Sequence, residues 1–271
     1  MIKKLIKILL TIVLILTLAI FYFSIFGLKT DKFNNQISNN ILKFNKNISI
    51  TLSDVNYLLN PYNFTINIKT QNPQISLEGK NFEIKNLQTN VALKSLINDQ
   101  FTIDDLQITT KEVKINEIIG LLRVFQNSPK LFVLNTIIKD GFVAANINLS
   151  FDEKGNIKDD YKITGTVKKV KINILNQVKL QNFNFDFNIN KKIYSLKKID
   201  MMLNNIKITS PLIEIKKKKD SFFVNGQFLN DKKNFDIEEF KPIFVNLFNI
   251  IDIQKIEFSS KNNFSFKVNE S

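Results

Sequence analysis

Three pairs of adjacent carboxylates, Asp104-Asp105, Asp159-Asp160 and Glu238-Glu239, are the residues best suited by type to acid–base chemistry. Such chemistry needs two carboxyls converging on one bond with their pKa values pushed apart. Neighbours on a strand project to opposite faces, so an extended Asp104-Asp105 or Asp159-Asp160 makes a poor pair. Glu238 and Glu239 stand where a helical pattern begins, and there they serve a cap and the helix dipole. The chain has no cysteine and no histidine. That removes thiol nucleophiles, imidazole bases, disulfides and the usual zinc sites. The glycines are isolated, so no phosphate-cradling loop is present. The chain reads as a non-enzyme with no catalytic residue, no metal site and no cofactor.

The net charge is +13, and all but Arg123 of the 38 basic residues are lysine. A nucleic-acid binder is expected to use arginine for bidentate contacts to bases and phosphates. These lysines are also spread along the chain, so nucleic acid is not an expected partner. Compositional drift is the reading favoured for the charge, with anionic lipid surface second. The densest run, Lys216 to Lys219, reads as a solvated strand end and turn. Lysine, asparagine and isoleucine dominate together, which suits a bacterium with an AT-rich genome.

The elements that would position a functional surface begin with the first thirty residues. Lys3, Lys4 and Lys7 precede a charge-free run from Ile8 to Leu28. That run of roughly 21 residues would make a helix of about 30 Å, the thickness of a bilayer core. Ile8, Leu14 and Leu18 lie along it, and Phe21, Tyr22, Phe23 and Phe26 gather at its far end like an aromatic belt. The lysines place the start on the cytoplasmic side. A cleaved signal peptide is the rival reading, but its apolar region is usually ~7–15 residues and ends in small residues. Here the run is longer and ends in bulky ones. Residues 1–29 therefore read as a retained transmembrane anchor, and 30–46 as a juxtamembrane helix or linker. In a bacterium the protein would sit in the inner membrane, single-pass, with its body in the periplasm.

From Ile48 the period becomes two, and residues 47–271 read as one β-rich domain. Phe64, Ile66 and Ile68 alternate with polar neighbours. So do Val143, Ile147 and Leu149, then Phe183, Phe185 and Phe187, then Phe222, Val224 and Phe228. This is the pattern of antiparallel sheet with one dry and one wet face. Such a face is usually the filled core of a closed sandwich or barrel. The clusters Asp152–Asn156, Asn190–Lys192 and Asn230–Asn234 read as hairpin turns. Two short helices interrupt the strands. One is capped by Asn116 and ends before Pro129; the other begins at Asp236, its regular part near Lys241.

A local pattern recurs: apolar, two polar, apolar, polar, apolar. It is Ile103 to Ile108, Leu180 to Phe185, Leu196 to Met201 and Ile253 to Phe258, with a looser copy at Ile84 to Thr89. The step of three breaks the two-residue phase and would turn half the apolar side chains outward. A β-bulge at the polar pair would restore it and add twist. Ordinary strand ends with tight turns would produce the same pattern.

The order of anchor, short helix and strands, with Pro73 to Leu77, Phe82 to Leu87, Val91 to Ile97, and Phe101 to Ile108, resembles the amino-terminal region of the AsmA-like family. These are relatives of the chorein-type bridge-like lipid transporters. Gly165 to Phe228, with Gly226 in the strand Phe222 to Phe228, is similar to the family's longer repeating β region. Many members are several times longer. The resemblance implies a mainly β fold: a transmembrane helix, then an elongated, curled, groove-like antiparallel sheet. It implies that the apolar residues named above line the groove and bind phospholipid acyl chains, for lipid transport or outer-membrane homeostasis. Roughly 15 strands at ~4.8 Å would give a trough of about 70 Å, suited to a shuttle or to one segment of a bridge with envelope partners. The alternative is a non-transport envelope scaffold or assembly factor with a closed β core.

Overall fold

An apolar run with nothing polar to pair its backbone satisfies its own N–H and C=O groups by forming a helix. The run takes this course as α1 (Ile2–Ile25), 24 residues long. None of its membrane-length window is buried, and Ile8, Leu14, Leu18 and Phe21, with Phe26 just beyond, are each more than half exposed. The hydroxyls of Thr11, Thr17 and Ser24 donate to carbonyls four residues back. This helix is long and apolar enough to cross a membrane once. The structure, a computed structural model, describes residues 2–31, 34–35, 38–39, 48–77, 80–93, 103–125, 128–152, 157–174, 178–204, 206–219, 221–236 and 255–269.

The fold is mainly β, with the described strands paired antiparallel and arranged as open, curled sheet. The chain forms two compact units: residues 1–110 with 147–161, and residues 111–146 with 162–271.

In the first unit the anchor runs straight into sheet. Gly27 turns the chain at φ +67, where any side chain would meet the Tyr57 carbonyl at 2.8 Å. β1 (Leu28–Lys29) then pairs with β3 (Asp54–Asn60), so sheet begins before the anticipated linker. Asn34, Asn35, Ser38 and Asn39 are helical, as anticipated, and the rest of that helix lies outside the described residues. Ser38 Oγ donates to the Ile50 carbonyl at 2.8 Å, and Asn34 Nδ2 to that of Leu52 at 3.0 Å. Next come β2 (Ile48–Thr51), β4 (Thr65–Gln71), β5 (Gln74–Leu77), β6 (Lys80–Ala92) and β7 (Ile103–Thr110). Besides its ladder with β7, β6 serves two further partners: its first four residues pair with β5, and Asn86 to Ala92 pair with β4. A register shift between Ile84 and Asn86 marks the change. A core gathers from both partners: Ile50 and Leu52, Val55, Ile68 and Val91, with Ile75 and Ile66 against it. Burial pushes the phenol of Tyr57, at the margin of this core, up to about 12.

The second unit carries β8 (Val113–Lys114), α2 (Ile115–Phe125), α3 (Pro129–Ile137), and β9 (Ile138–Ser150), whose last four residues belong to the first unit. Asn116, expected to cap α2, instead lies inside it, because the helix already begins at Ile115. α3 was not anticipated, although Ser128 followed by Pro129 is a helix-start signal. Then follow β10 (Lys162–Ile174), β11 (Val178–Ile189), β12 (Ile193–Leu203), β13 (Ile206–Lys218), β14 (Ser221–Asp236) and β15 (Lys255–Asn269), each paired with the next. The turn expected at Asn190–Lys192 forms: Asn190 Oδ1 accepts from the N–H groups of Lys192 and Ile193, both at 2.9 Å. The turn expected at Asn230–Asn234 does not. β14 runs through it, absorbing the polar run in a register shift between Asn230 and Lys233. Asp236, expected to open a helix, is the last residue of β14, and the remainder of that helix lies outside the described residues.

Three-residue steps on β10, β11 and β12 are bulges. Asn182 and Lys198, the second polar residues of two copies, have φ of 49 and 52, and Lys169 in the similar step Val167 to Ile172 has 54. Register shifts flank each. A non-glycine residue in this region costs on the order of 1 kcal/mol, so its surroundings must hold it. Asn184 does so for Lys169 and Asn182. Its Oδ1 accepts from the Lys169 N–H at 2.8 Å and its Nδ2 donates to the Asn182 carbonyl at 2.6 Å. Asp186 binds Lys198 at 3.0 Å and accepts from Thr166 Oγ1 at 3.0 Å.

Asn184→Ala should lower stability by about 1 kcal/mol, seen as an earlier urea midpoint and faster amide exchange at Lys169. The hydrogen bonds from Lys198 and then Thr166 hold the Asp186 carboxyl below the ordinary carboxylate value. Its contribution is therefore present above the unfolded pKa and lost as pH falls through the folded one. Stability should drop between about pH 5 and pH 3, and Asp186→Asn should make that drop shallower.

Candidate functional site

Side chains on neighbouring strands share a face when their residues are in register, and the ladders of the second unit put apolar residues in register across six strands. One row reads Ile163, Ile189, Tyr194, Ile215, Val224, Phe266 from β10 to β15. The next reads Gly165, Phe187, Leu196, Ile213, Gly226, Phe264. Val167 opposes Phe185, and beyond the bulge Val170 opposes Phe183. At the other end Phe222 opposes Val268. The row between these two is polar: Thr164, Asn188, Ser195, Glu214, Asn225 and Ser265. Ser265 Oγ donates to Asn225 Oδ1 at 2.6 Å.

Rings dominate the apolar face. Phe183 and Phe185 lie 4.8 Å apart between centroids, Phe185 and Phe187 6.5 Å, and Phe228 and Phe264 4.9 Å. Tyr194 and Phe222 are 6.4 Å apart. The two glycines make this possible. A methyl on Gly165 would come within 2.5 Å of the Phe187 ring and 2.2 Å of the Ala144 carbonyl oxygen. One on Gly226 would come within 2.5 Å of the Phe264 ring and 3.0 Å of Ile213. Each glycine leaves a slot over which a cross-strand ring lies flat, the aromatic–glycine pairing that pins strand register.

From β11 to β15 this face is half open, while Val167 and Val170 on β10 are buried at 7% and 3%. The three β11 phenylalanines, Leu196, Ile213, Val224 and Phe264 are all partly exposed, and Phe266 is 49% and Val268 46% exposed. Closed cores bury such residues nearly completely. The first unit provides the contrast, with Val91 at 0% and Val55 at 2%.

The residues expected to line a groove therefore fall into separate places. Phe183, Phe185, Phe187, Phe222, Val224 and Phe228 share the apolar face of the second unit. Val143 is in that unit opposite Val113 on β8. Ile147 and Leu149 are partly exposed in the part of β9 that belongs to the first unit. Ile68 is in the first unit's packed core at 4% exposure, and the partly buried Ile66 packs against that core. Phe64 is not on a strand. It sits in the turn after β3 at φ 51 and is 72% exposed. Sequence reading also missed Tyr194, Leu196, Ile213, Ile215, Phe264 and Phe266 as members of the face. The alternation of Phe264 and Phe266 was visible, but only register joins them to Gly226 and Val224.

The carboxylate pairs take structural positions. Asp105 accepts from the Asn90 N–H at 3.0 Å and from its side-chain amide at 3.1 Å, while Asp104 is exposed. Asp159 and Asp160 are exposed in a turn, and Glu238 and Glu239 lie outside the described residues. No protein-family model, curated protein or solved structure matches the chain.

Gly165→Ala should destabilise by about 2 kcal/mol, because its methyl meets backbone that cannot step aside. Gly226→Ala should stay within about 1 kcal/mol of the parent, because there the ring tip can swing and a strand alanine recovers some backbone entropy. Urea titrations of the two variants side by side check both.

Proposed function

We propose that this is a membrane-anchored protein that holds phospholipid acyl chains against the apolar face of β10 to β15. The observation carrying this reading is a ring-rich face continuous over six strands and still half open to solvent from β11 to β15. Burying apolar area yields roughly 25 cal/mol per Å², so two acyl chains laid along such a face gain enough to leave water. Unbranched chains need no hydrogen-bonding partner, and the face presents rings and aliphatic side chains. The resemblance to the AsmA-like family supports the same reading, with the body in the periplasm, the N-terminus in the cytoplasm and a role in lipid transport or outer-membrane homeostasis. The reading confines the lipid to the second unit. The packed core of the first unit is what a non-transport scaffold would have, and that alternative is tested by the same experiment.

A photo-reactive phenylalanine analogue would replace Phe185, Phe266 or Ser265 in the full chain in native membranes, with adducts identified by mass spectrometry. Phospholipid adducts are expected from positions 185 and 266 and not from 265, which faces the other way. Purely intramolecular adducts at 185 and 266 would mean a filled core and would put the scaffold in front. Equal lipid labelling at 265 would mean contact with the bilayer without a dedicated face.

A further inference from the structure

The ladders gather lysines that are far apart in sequence at one end of this sheet. The β11–β12 turn contributes Lys191 and Lys192. The end of β13 and its turn contribute Lys216, Lys217, Lys218 and Lys219. Lys192 and Lys217 are joined through the backbone, the Lys217 N–H donating to the Lys192 carbonyl at 2.9 Å. On the next strands Lys216 opposes Phe223, which opposes Lys267. All seven lysines are exposed. The carboxylates in these segments are Glu214, which binds Lys216 at 2.6 Å, and Asp220 and Glu270, whose placement is outside the described residues. Seven lysines less three carboxylates leave a charge of +4 on two adjacent turns and a strand end.

The chemistry of this cluster narrows what it can meet. It contains no arginine, so it lacks the planar fork that reads bases and clamps single phosphates. Two of its lysines lie over aromatic rings, with Lys217 Nζ 5.4 Å from the Phe222 centroid and Lys218 Nζ 4.8 Å from that of Phe223. Lys217 is in register with Phe222 and the half-exposed Val268, and Lys216 and Lys267 with Phe223. Flexible ammonium groups above apolar bodies are the composition of a membrane interface, where stems lie at the acyl boundary and charges reach the phosphates.

We infer that this lysine-bearing end is a docking surface for an anionic phospholipid bilayer. Several cations within a Debye length act together on a negative surface, each adding to the attraction. Docking needs only the charges and the aromatic support, so it stands whether or not the adjoining face holds lipid.

The test uses the full chain in phosphatidylcholine nanodiscs, so that α1 is already embedded. Co-flotation is measured with vesicles of phosphatidylcholine alone or with roughly one-third phosphatidylglycerol. Binding to the anionic vesicles alone is expected, weakening as salt rises. A variant with Lys192, Lys218, Lys219 and Lys267 each changed to Gln should bind at least tenfold more weakly. A control with Lys85, Lys130, Lys158 and Lys261 changed to Gln carries the same net charge and should bind like the parent. The inference is overturned if the first variant binds like the parent, or if the control weakens equally, which would make net charge the cause. Equal binding to phosphatidylcholine vesicles overturns it as well. So does a short DNA duplex that displaces the vesicles at matched phosphate concentration, since the surface would then be a general polyanion binder. Phe266→Asp separates the two readings: it should abolish acyl-chain binding and leave vesicle docking intact.

Discussion

Side chains on a strand alternate, and everything on the apolar face depends on keeping that alternation in phase from one strand to the next. β10, β11 and β12 each contain a three-residue step that would flip half their apolar residues to the wet side. Each step is absorbed by one residue in left-handed conformation, Lys169, Asn182 or Lys198. The conformation is unfavourable for a side chain, and polar side chains hold it in place. Asn184 bonds backbone of both β10 and β11, and Asp186 bonds the bulged Lys198. The abundance of asparagine thus has a local use, since its short amide can bond backbone groups that a ladder leaves unpaired. The same bulges bend the strands they interrupt, so the device that keeps the face apolar also curls the sheet.

The two units solve the burial problem differently with the same alphabet of alternating residues. In the first, β6 changes partner at Ile84 to Asn86, and residues from β2 and β5 meet those of β3, β4 and β6 in a small sealed core. In the second, every strand from β10 onward adds beside the last, and no comparable sealed cluster forms among the described residues. Rings lie over glycines and over one another instead, which lowers but does not remove their exposure. Such a face is expensive to leave in water, and an apolar ligand is the simplest occupant that asks nothing of it in hydrogen bonds.

Much of this was legible in advance. The anchor follows from an uninterrupted apolar run and the strands from period-two patterning, and the recurrent three-residue step marked where either a bulge or a strand end could stand. Errors came where local chemistry was ambiguous. The polar run Asn230 to Asn234 has the composition of a turn, yet pairing with β15 carries the chain through it as strand. Ser128-Pro129 marks a helix start that was overlooked because Pro129 was taken only as a stop. Phe64 fits the alternation of β4 but stands one residue outside it, in a turn.

By itself the sequence determined the membrane-length helix, the antiparallel β class and the absence of cysteine and histidine chemistry, and it marked three-residue steps that either a bulge or a strand end could satisfy. These are local properties, set by the spacing of residues within a few positions of one another. Only the tertiary structure decided which apolar residues share a face, that Ile68 is sealed while Phe185 and Phe266 are not, and that lysines from distant turns meet at one sheet end. Those outcomes depend on inter-strand register and on whether a second layer packs against a face, and both join residues that no sequence window contains.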